Sequence, residues 1–197
     1  MDTHIKYMKR CIELASEGIG NTYPNPMVGC VIVHKNKIIG EGSHQQYGCN
    51  HAEVNAINSV VDENILKEST LYVNLEPCNH YGKTPPCTKL ILEKGIKNVI
   101  IGSKDPNSNV LGGGISTLIS NGCNVEYGIM KDECDLLNKR FFTYHNQKRP
   151  YIILKWAESK DGYISPKKSN RNKGDIFWIS NEESRKMSHY FRSQEHS

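Results

Sequence analysis

Val28-Gly29-Cys30-Val31-Ile32-Val33-His34-Lys35-Asn36-Lys37-Ile38-Ile39-Gly40 reads as a buried strand, a polar turn and a returning strand. The first six residues carry only small or apolar side chains, and the turn is the polar run His34 to Lys37, so a hairpin is expected. Working outward, helical and strand patterns alternate. Upstream, Ile5, Met8, Ile12, Ala15 and Ile19 step by three and four, one face of a helix over about 3–18 that Gly18 or Gly20 ends. Downstream, the pattern predicts a helix over 52–61, a strand over 70–75 and a helix over 88–94. That last helix is entered from Pro85-Pro86 and left at Gly95. A strand over 98–101, a helix over 115–120 stopped by Gly122, a strand over 124–127 and a helix from 131 to about 145 follow. From residue 28 onward the order is ββαβαβαβα, which argues for an α/β sheet covered by helices on both faces.

Arg149-Pro150 marks a boundary. Tyr151 to Trp156 reads as a new strand, Asp161-Gly162 as a turn, 166–174 as a polar loop and Asn181 to Arg192 as a helix. The 47 residues after Pro150 are too few to bury a core of their own. They read as an appendage on the first domain or as the start of a second one.

Composition narrows the class. Of 197 residues, 37% are hydrophobic and 23% charged, too apolar and too weakly charged for a disordered chain. No apolar run reaches the roughly 18 residues of a membrane span. The N-terminus leads into an amphipathic stretch and not into a secretory apolar core, so a cytoplasmic protein is expected. The net charge is +4, and the densest basic stretch, Lys167 to Lys173, reads as an exposed loop rather than a nucleic-acid arm. Seven cysteines, at 11, 30, 49, 78, 87, 123 and 134, are an odd number in a chain without a secretory signal. Reduced thiols, some on a metal, fit better than a disulfide framework.

The chemistry sits in three places. His51-Ala52-Glu53 opens a predicted helix, Pro77-Cys78 follows a predicted strand, and Cys87 comes after eight intervening residues. One His and two Cys can hold Zn²⁺ and leave its fourth position open, and a water there has its pKa lowered from 15.7 to about 7. Residues i and i+2 do not share a helix face. His51 and Glu53 can therefore meet around one centre only at a helix terminus, where the first residue leaves the helical path. A Cys near a helix start, as Cys78 is read here, ionises more easily. The pattern is the signature of zinc nucleobase deaminases, H-x-E then P-C-x-x-C, with Glu as proton shuttle, except that eight residues separate these cysteines. The insertion Asn79 to Pro86 adds His80 and Lys83, and a cation there suits an anionic group such as a phosphate. Cys49 reads as a spectator thiol; the alternative is a fourth ligand that would make the site structural.

Thr22-Tyr23-Pro24-Asn25-Pro26-Met27-Val28-Gly29, Gly42-Ser43-His44, His51-Ala52-Glu53-Val54, Leu75 to Cys87 and Asp105-Pro106-Asn107 together resemble the bifunctional deaminase/reductase of riboflavin biosynthesis. The resemblance runs through the whole chain, and the long cysteine-to-cysteine segment is its most specific part. It implies a cytidine-deaminase-like three-layer α/β/α sandwich with a mixed sheet over 1–148. The implied substrate is 2,5-diamino-6-ribosylamino-4(3H)-pyrimidinone 5′-phosphate, which loses its 2-amino group. It further implies His51, Cys78 and Cys87 as zinc ligands, Glu53 as the catalytic proton shuttle, and Asn25, His44, His80, Lys83 and Asn107 as substrate contacts.

Residues 149–197 resemble the truncated start of a dihydrofolate-reductase-like reductase domain that uses NADPH. Trp178 falls at a position associated with the cofactor and Arg192 at one associated with substrate. Ile176 stands where many members carry a Ser. NADPH-dependent reduction is implied only for a full-length relative. Zn²⁺ is the one cofactor the deaminase chemistry needs, and the expected partner is a small phosphorylated pyrimidine, with neither nucleic acid nor membrane. A homo-oligomer stays open. Two other readings also stay open: a nucleoside or nucleic-acid base deaminase on the same fold, and a non-catalytic structural zinc module.

Overall fold

Apolar residues in the strands alternate between two cores, and that alternation builds the layers. A computed structural model describes residues 3–82, 84–107, 113–164 and 179–195. It divides into two units, one running to Tyr151 and one from Ile152 onward. The first holds β1 (Gly29–His34), β2 (Lys37–Ser43), β3 (Thr70–Leu75), β4 (Asn98–Ser103) and β5 (Asn124–Tyr127) in the order β2-β1-β3-β4-β5. β1 is antiparallel to β2 and β3, and β3, β4 and β5 run parallel. Lys35 and Asn36 close the hairpin with φ of 47° and 62°, the left-handed pair that matches strand twist in a two-residue turn.

The helices are α1 (Thr3–Ser16), α2 (Ala52–Asn58), α3 (Cys87–Glu93), α4 (Gly113–Ser120), α5 (Lys131–Leu137) and α6 (Lys139–Gln147). Cys30 and Ile32 of β1, Leu71 and Val73 of β3, and Val99 and Ile101 of β4 pack with Ala56 and Ile57 of α2, Ile91 of α3, and Ile115 and Leu118 of α4. Val31, Val33, Tyr72 and Ile100 point the other way, onto Tyr7, Met8, Cys11 and Leu14 of α1 and Cys134 of α5. This is the period-two pattern of a sheet buried on both faces, and each fully buried aliphatic side chain contributes about 1.5–3 kcal/mol. The result is the three-layer sandwich with a mixed sheet expected from the sequence.

Several boundaries differ from expectation. A 3-10 helix, Glu63–Glu68, follows α2 and is capped by the Asp62 carboxylate, which accepts the Asn64 N–H. The single helix expected from 131 to 145 is two, broken at Asn138, whose side chain bonds backbone elsewhere. The strand expected over 151–156 does not form. Those residues lack regular structure, Tyr151, Ile152, Ile153, Leu154 and Trp156 are exposed, and the described part of the second unit offers no strand to pair with. That unit contains the Asp161-Gly162 turn, with Gly162 N–H donating to Ser159 O at 2.9 Å, and α7 (Glu182–Glu195). No helix among the described residues is long and apolar enough to cross a membrane.

α1 lies against β1 at Gly29. A Cβ there would stand 2.1 Å from Cys11 O and 2.7 Å from Ala15 N. Both are helix backbone and cannot swing away, so Gly29→Ala should cost about 3 kcal/mol. The urea unfolding midpoint reads this, and an unchanged midpoint would mean α1 packs elsewhere.

Candidate active site

Parallel β3 and β4 end at one edge of the sheet, where antiparallel β1 begins and β2 finishes. Four connections therefore meet there: the approach to β1 with Asn25, the exit of β2 with His44, the segment after Leu75 and the turn after Ser103. Open α/β sheets place their sites outside the carboxyl ends of parallel strands for this reason.

Two helices begin at this edge. His51 is the N-cap of α2 and has extended backbone (φ −72°, ψ 162°), while Glu53 lies in the first turn. This is the departure from the helical path that their i, i+2 spacing requires. α3 begins at Cys87, just after Pro86. Cys78 is in the preceding loop, not at a helix start as the sequence suggested, but its sulfur lies 3.4 Å from the Cys87 N–H that donates to it. Thr88 N–H donates to Cys78 O at 3.2 Å.

His51 Nδ1 is 3.5 Å from Cys78 Sγ and 3.3 Å from Cys87 Sγ, and the three donor atoms lie within 4.8 Å of one another. Tetrahedral zinc with bonds of about 2.0 and 2.3 Å sets N···S separations near 3.5 Å, so this donor set fits the ion to within about 0.2 Å. The thiol pair is already polarised. Hydrogen bonding from Cys87 pulls the Cys78 thiol down to about 4 against its burial, with His51 assisting, and the same contact together with burial pushes Cys87 up. The Cys78 bond pushes His51 up. Burial, then the Cys78 thiolate, pushes the Glu53 carboxyl up, which favours a group that holds a proton between transfers.

A cavity of about 480 Å³ opens on the cluster, lined by His51, Glu53 and Cys78 and also by Asn25, His44, His80, Asp105, Asn107 and Phe141. His44 is buried and its polarity is fixed. A carbonyl can only accept, so Nδ1–H donates to Asn50 O at 3.0 Å, and Nε2 accepts from Asn25 Nδ2 at 3.1 Å. Burial lowers its pKa, and the ring stands edge-on to His51 at 5.4 Å. Cys49 is exposed, lines the cavity and is not one of the three clustered donors. Lys83, Trp178 and Ile176 lie outside the described residues. Arg192 is exposed on α7 of the second unit.

The sequence reading missed the groups that hold this edge together. Glu76 is buried; its Oε1 accepts the Gly114 and Ile115 N–H groups at the start of α4, and its Oε2 accepts the Asp105 N–H. Asn79 bonds Thr88 and Thr117, tying the cysteine loop to α3 and α4. Asn74 and Asn138 bond Met27 and Gly29. A polar residue inside an apolar run, as in Leu71-Tyr72-Val73-Asn74-Leu75, was the available signal.

A deaminase-like zinc centre on a mixed sheet is what these features define, and the comparisons with known proteins agree. Residues 1–103 match the family model for the cytidine and deoxycytidylate deaminase zinc-binding region. The chain is 46% identical over 183 residues to riboflavin biosynthesis protein RibD of Actinobacillus pleuropneumoniae, covering 93% of this chain and 47% of that one. It is 53% identical over 136 residues to the diaminohydroxyphosphoribosylamino-pyrimidine deaminase of Buchnera aphidicola, covering 69% of this chain and 91% of that protein. Acinetobacter baumannii RibD superposes with a TM-score of 0.88 at 38% identity over 98% of this chain and 52% of that one. The chain belongs to the zinc-binding deaminases of the cytidine and deoxycytidylate type and, among them, to the riboflavin-biosynthesis deaminases. It spans about half the length of the RibD relatives it matches.

Two outcomes are expected. Cys87→Ser exchanges a thiolate for a neutral hydroxyl and should lower zinc content measured by atomic absorption; full zinc content would remove Cys87 from the coordination set. Asp105 is buried, and desolvation lifts its carboxyl from 3.8 to about 6, against the pull of the Asn107 N–H. Between those values the unfolded chain releases a proton that the folded chain keeps. Asp105 therefore costs stability as pH rises through this window and goes on costing it above. Asp105→Asn should raise the melting temperature near pH 8, by an equivalent of at most about 3 kcal/mol, and not near pH 3.5. An equal shift at both pH values would show that the carboxyl is not desolvated.

Proposed function

We propose that this chain hydrolytically deaminates 2,5-diamino-6-ribosylamino-4(3H)-pyrimidinone 5′-phosphate, replacing its 2-amino group with oxygen and releasing ammonia. The observation that carries the reading is the His51, Cys78 and Cys87 cluster beside a buried Glu53 in a cavity that Asn25, His44 and Asn107 also line. The Buchnera relative, named for this class of substrate and covered over 91% of its length, supports it.

Zinc, when held by His51, Cys78 and Cys87, supplies an activated water and a positive charge against the charge developing on the substrate. Glu53 takes a proton from the attacking water, delivers it to a ring nitrogen and then assists protonation of the leaving amine. Its burial keeps bulk water from competing for the proton. Asn25, oriented by the neutral His44 ring, and Asn107, held by Asp105, contact the substrate and fix its ring in the cavity. His80 and Lys83 of the segment between the cysteines take the 5′-phosphate; for Lys83 the support is its place in the sequence. Remote binding of this kind raises the rate by orienting the reacting carbon.

The likeness of residues 149–197 to the start of a reductase domain supports a second proposal. NADPH-dependent reduction of the deaminated product, with Trp178 and Arg192 as contacts, belongs to chains that carry the whole domain.

The test is mass spectrometry of the zinc-loaded protein incubated with the phosphorylated substrate, beside its Glu53→Gln variant. The parent should convert the amino group, and the variant should keep its zinc and lose about 10²–10⁴-fold in turnover. Turnover by the variant within about twofold of the parent would give the shuttle role to another group. An inert parent would overturn the substrate assignment.

A further inference from the structure

The segment that carries Asn25 into the cavity is tied at its buried end, Met27, by hydrogen bonds from two other elements. On one side of Asn25, Pro26 and Phe141 lies the active cavity. On the other, a second cavity of about 360 Å³ is lined by those same three residues together with Met27 and Asn138. Residues that line a cavity on each side have room to shift toward either, so the polar contacts at the buried end of the segment bear on where it stands. Met27 supplies them. Its N–H donates to Asn138 Oδ1 at 2.8 Å, and its carbonyl accepts from Asn138 Nδ2 at 2.9 Å and from Asn74 Nδ2 at 3.1 Å. Asn74 Oδ1 also accepts the Gly29 N–H at 2.8 Å, which starts β1. Asn138 is 3% exposed and Asn74 0%, so none of these bonds competes with water. Asn138 reaches Met27 across 111 residues of chain and falls where α5 gives way to α6.

We infer that Asn138, clamping both backbone groups of Met27, is a positioning residue for deamination: it sets where Asn25 stands in the active cavity. This rests on the deaminase reading above and on Asn25 as a substrate contact. Asn138 does not line the active cavity, and its side chain bonds Met27, not a residue of the donor cluster. His51, Cys78 and Cys87 stand on other elements, so losing the clamp leaves the metal in place and lets the Asn25 segment relax toward the second cavity. The effect then falls on substrate binding.

The experiment is a double-mutant cycle on the zinc-loaded protein with Asn138→Ala, Asn25→Ala and both together, with KM, kcat and zinc content measured for each. Asn138→Ala should lower kcat/KM about tenfold, the size of one lost hydrogen bond, through KM and with zinc content unchanged. The double variant should be no worse than Asn25→Ala alone, because the first change acts through the second. Losses that add in the double variant overturn the inference. So does a lower melting temperature with KM unchanged, which is what a purely structural role gives. Asn138→Asp serves where the alanine variant does not fold: it keeps the acceptor for Met27 N–H, loses the donor to Met27 O, and should raise KM by less. Amide exchange gives a readout independent of turnover. The Met27 N–H should be protected in the parent and in Asn138→Asp, and exposed in Asn138→Ala; equal protection in all three overturns the clamp. A parent inert toward the phosphorylated substrate is a separate outcome: it overturns the deaminase reading and, with it, the catalytic consequence of Asn138, while Met27 exchange still decides the clamp.

Discussion

Two short helices start at the same point, and the rest of the site is arranged around that coincidence. The start of α2 brings His51 on extended backbone and Glu53 in the first turn of the helix; the start of α3 brings Cys87 and an N–H aimed at the Cys78 sulfur. A metal centre needs donor atoms fixed to within fractions of an ångström. Backbone at a helix start, tied to the loop that leaves β3 by the Cys78–Thr88 bond, meets that need better than free loops do. The parallel pairing of β3 with β4 delivers the loops to the same edge.

Burial then divides the labour among the polar groups. Glu53 is enclosed and its carboxyl is pushed up, which suits proton transfer. Glu76 is enclosed as well, but its oxygens are taken by three backbone N–H groups, so it holds the start of α4 and the Asp105 turn. Two buried carboxylates, each two positions from a residue of the donor cluster, thus sit in different surroundings, and their hydrogen-bond partners make the difference. The fixed polarity of His44 belongs to the same pattern: its ring hands Asn25 one defined acceptor.

The sequence made the chemistry legible and left the scaffolding hidden. Zinc binding demands particular residue types, so His51, Cys78 and Cys87 stand out, and periodicity exposes the order of helices and strands. Asn74, Glu76 and Asn138 act on backbone groups far away along the chain. Nothing local marks them beyond polarity in an apolar setting, and the break at Asn138 passed for the middle of one helix because 131–145 keeps a helical pattern across it. The strand read at 151–156 failed for the complementary reason. Its residues have strand character, but a strand exists only with a neighbour, and no periodicity reports whether one is there.

The clamp on Met27 also sets how much of the chain the site needs. The three clustered donors all lie at or before residue 87, and the family model that matches this chain ends at 103. The segment bearing Asn25 is tied to Asn138, 111 positions after Met27. A piece of the chain cut at 103 keeps every donor residue and loses that tie. Because a domain folds as a unit, the minimal folding piece is longer than the motif by which the family is found.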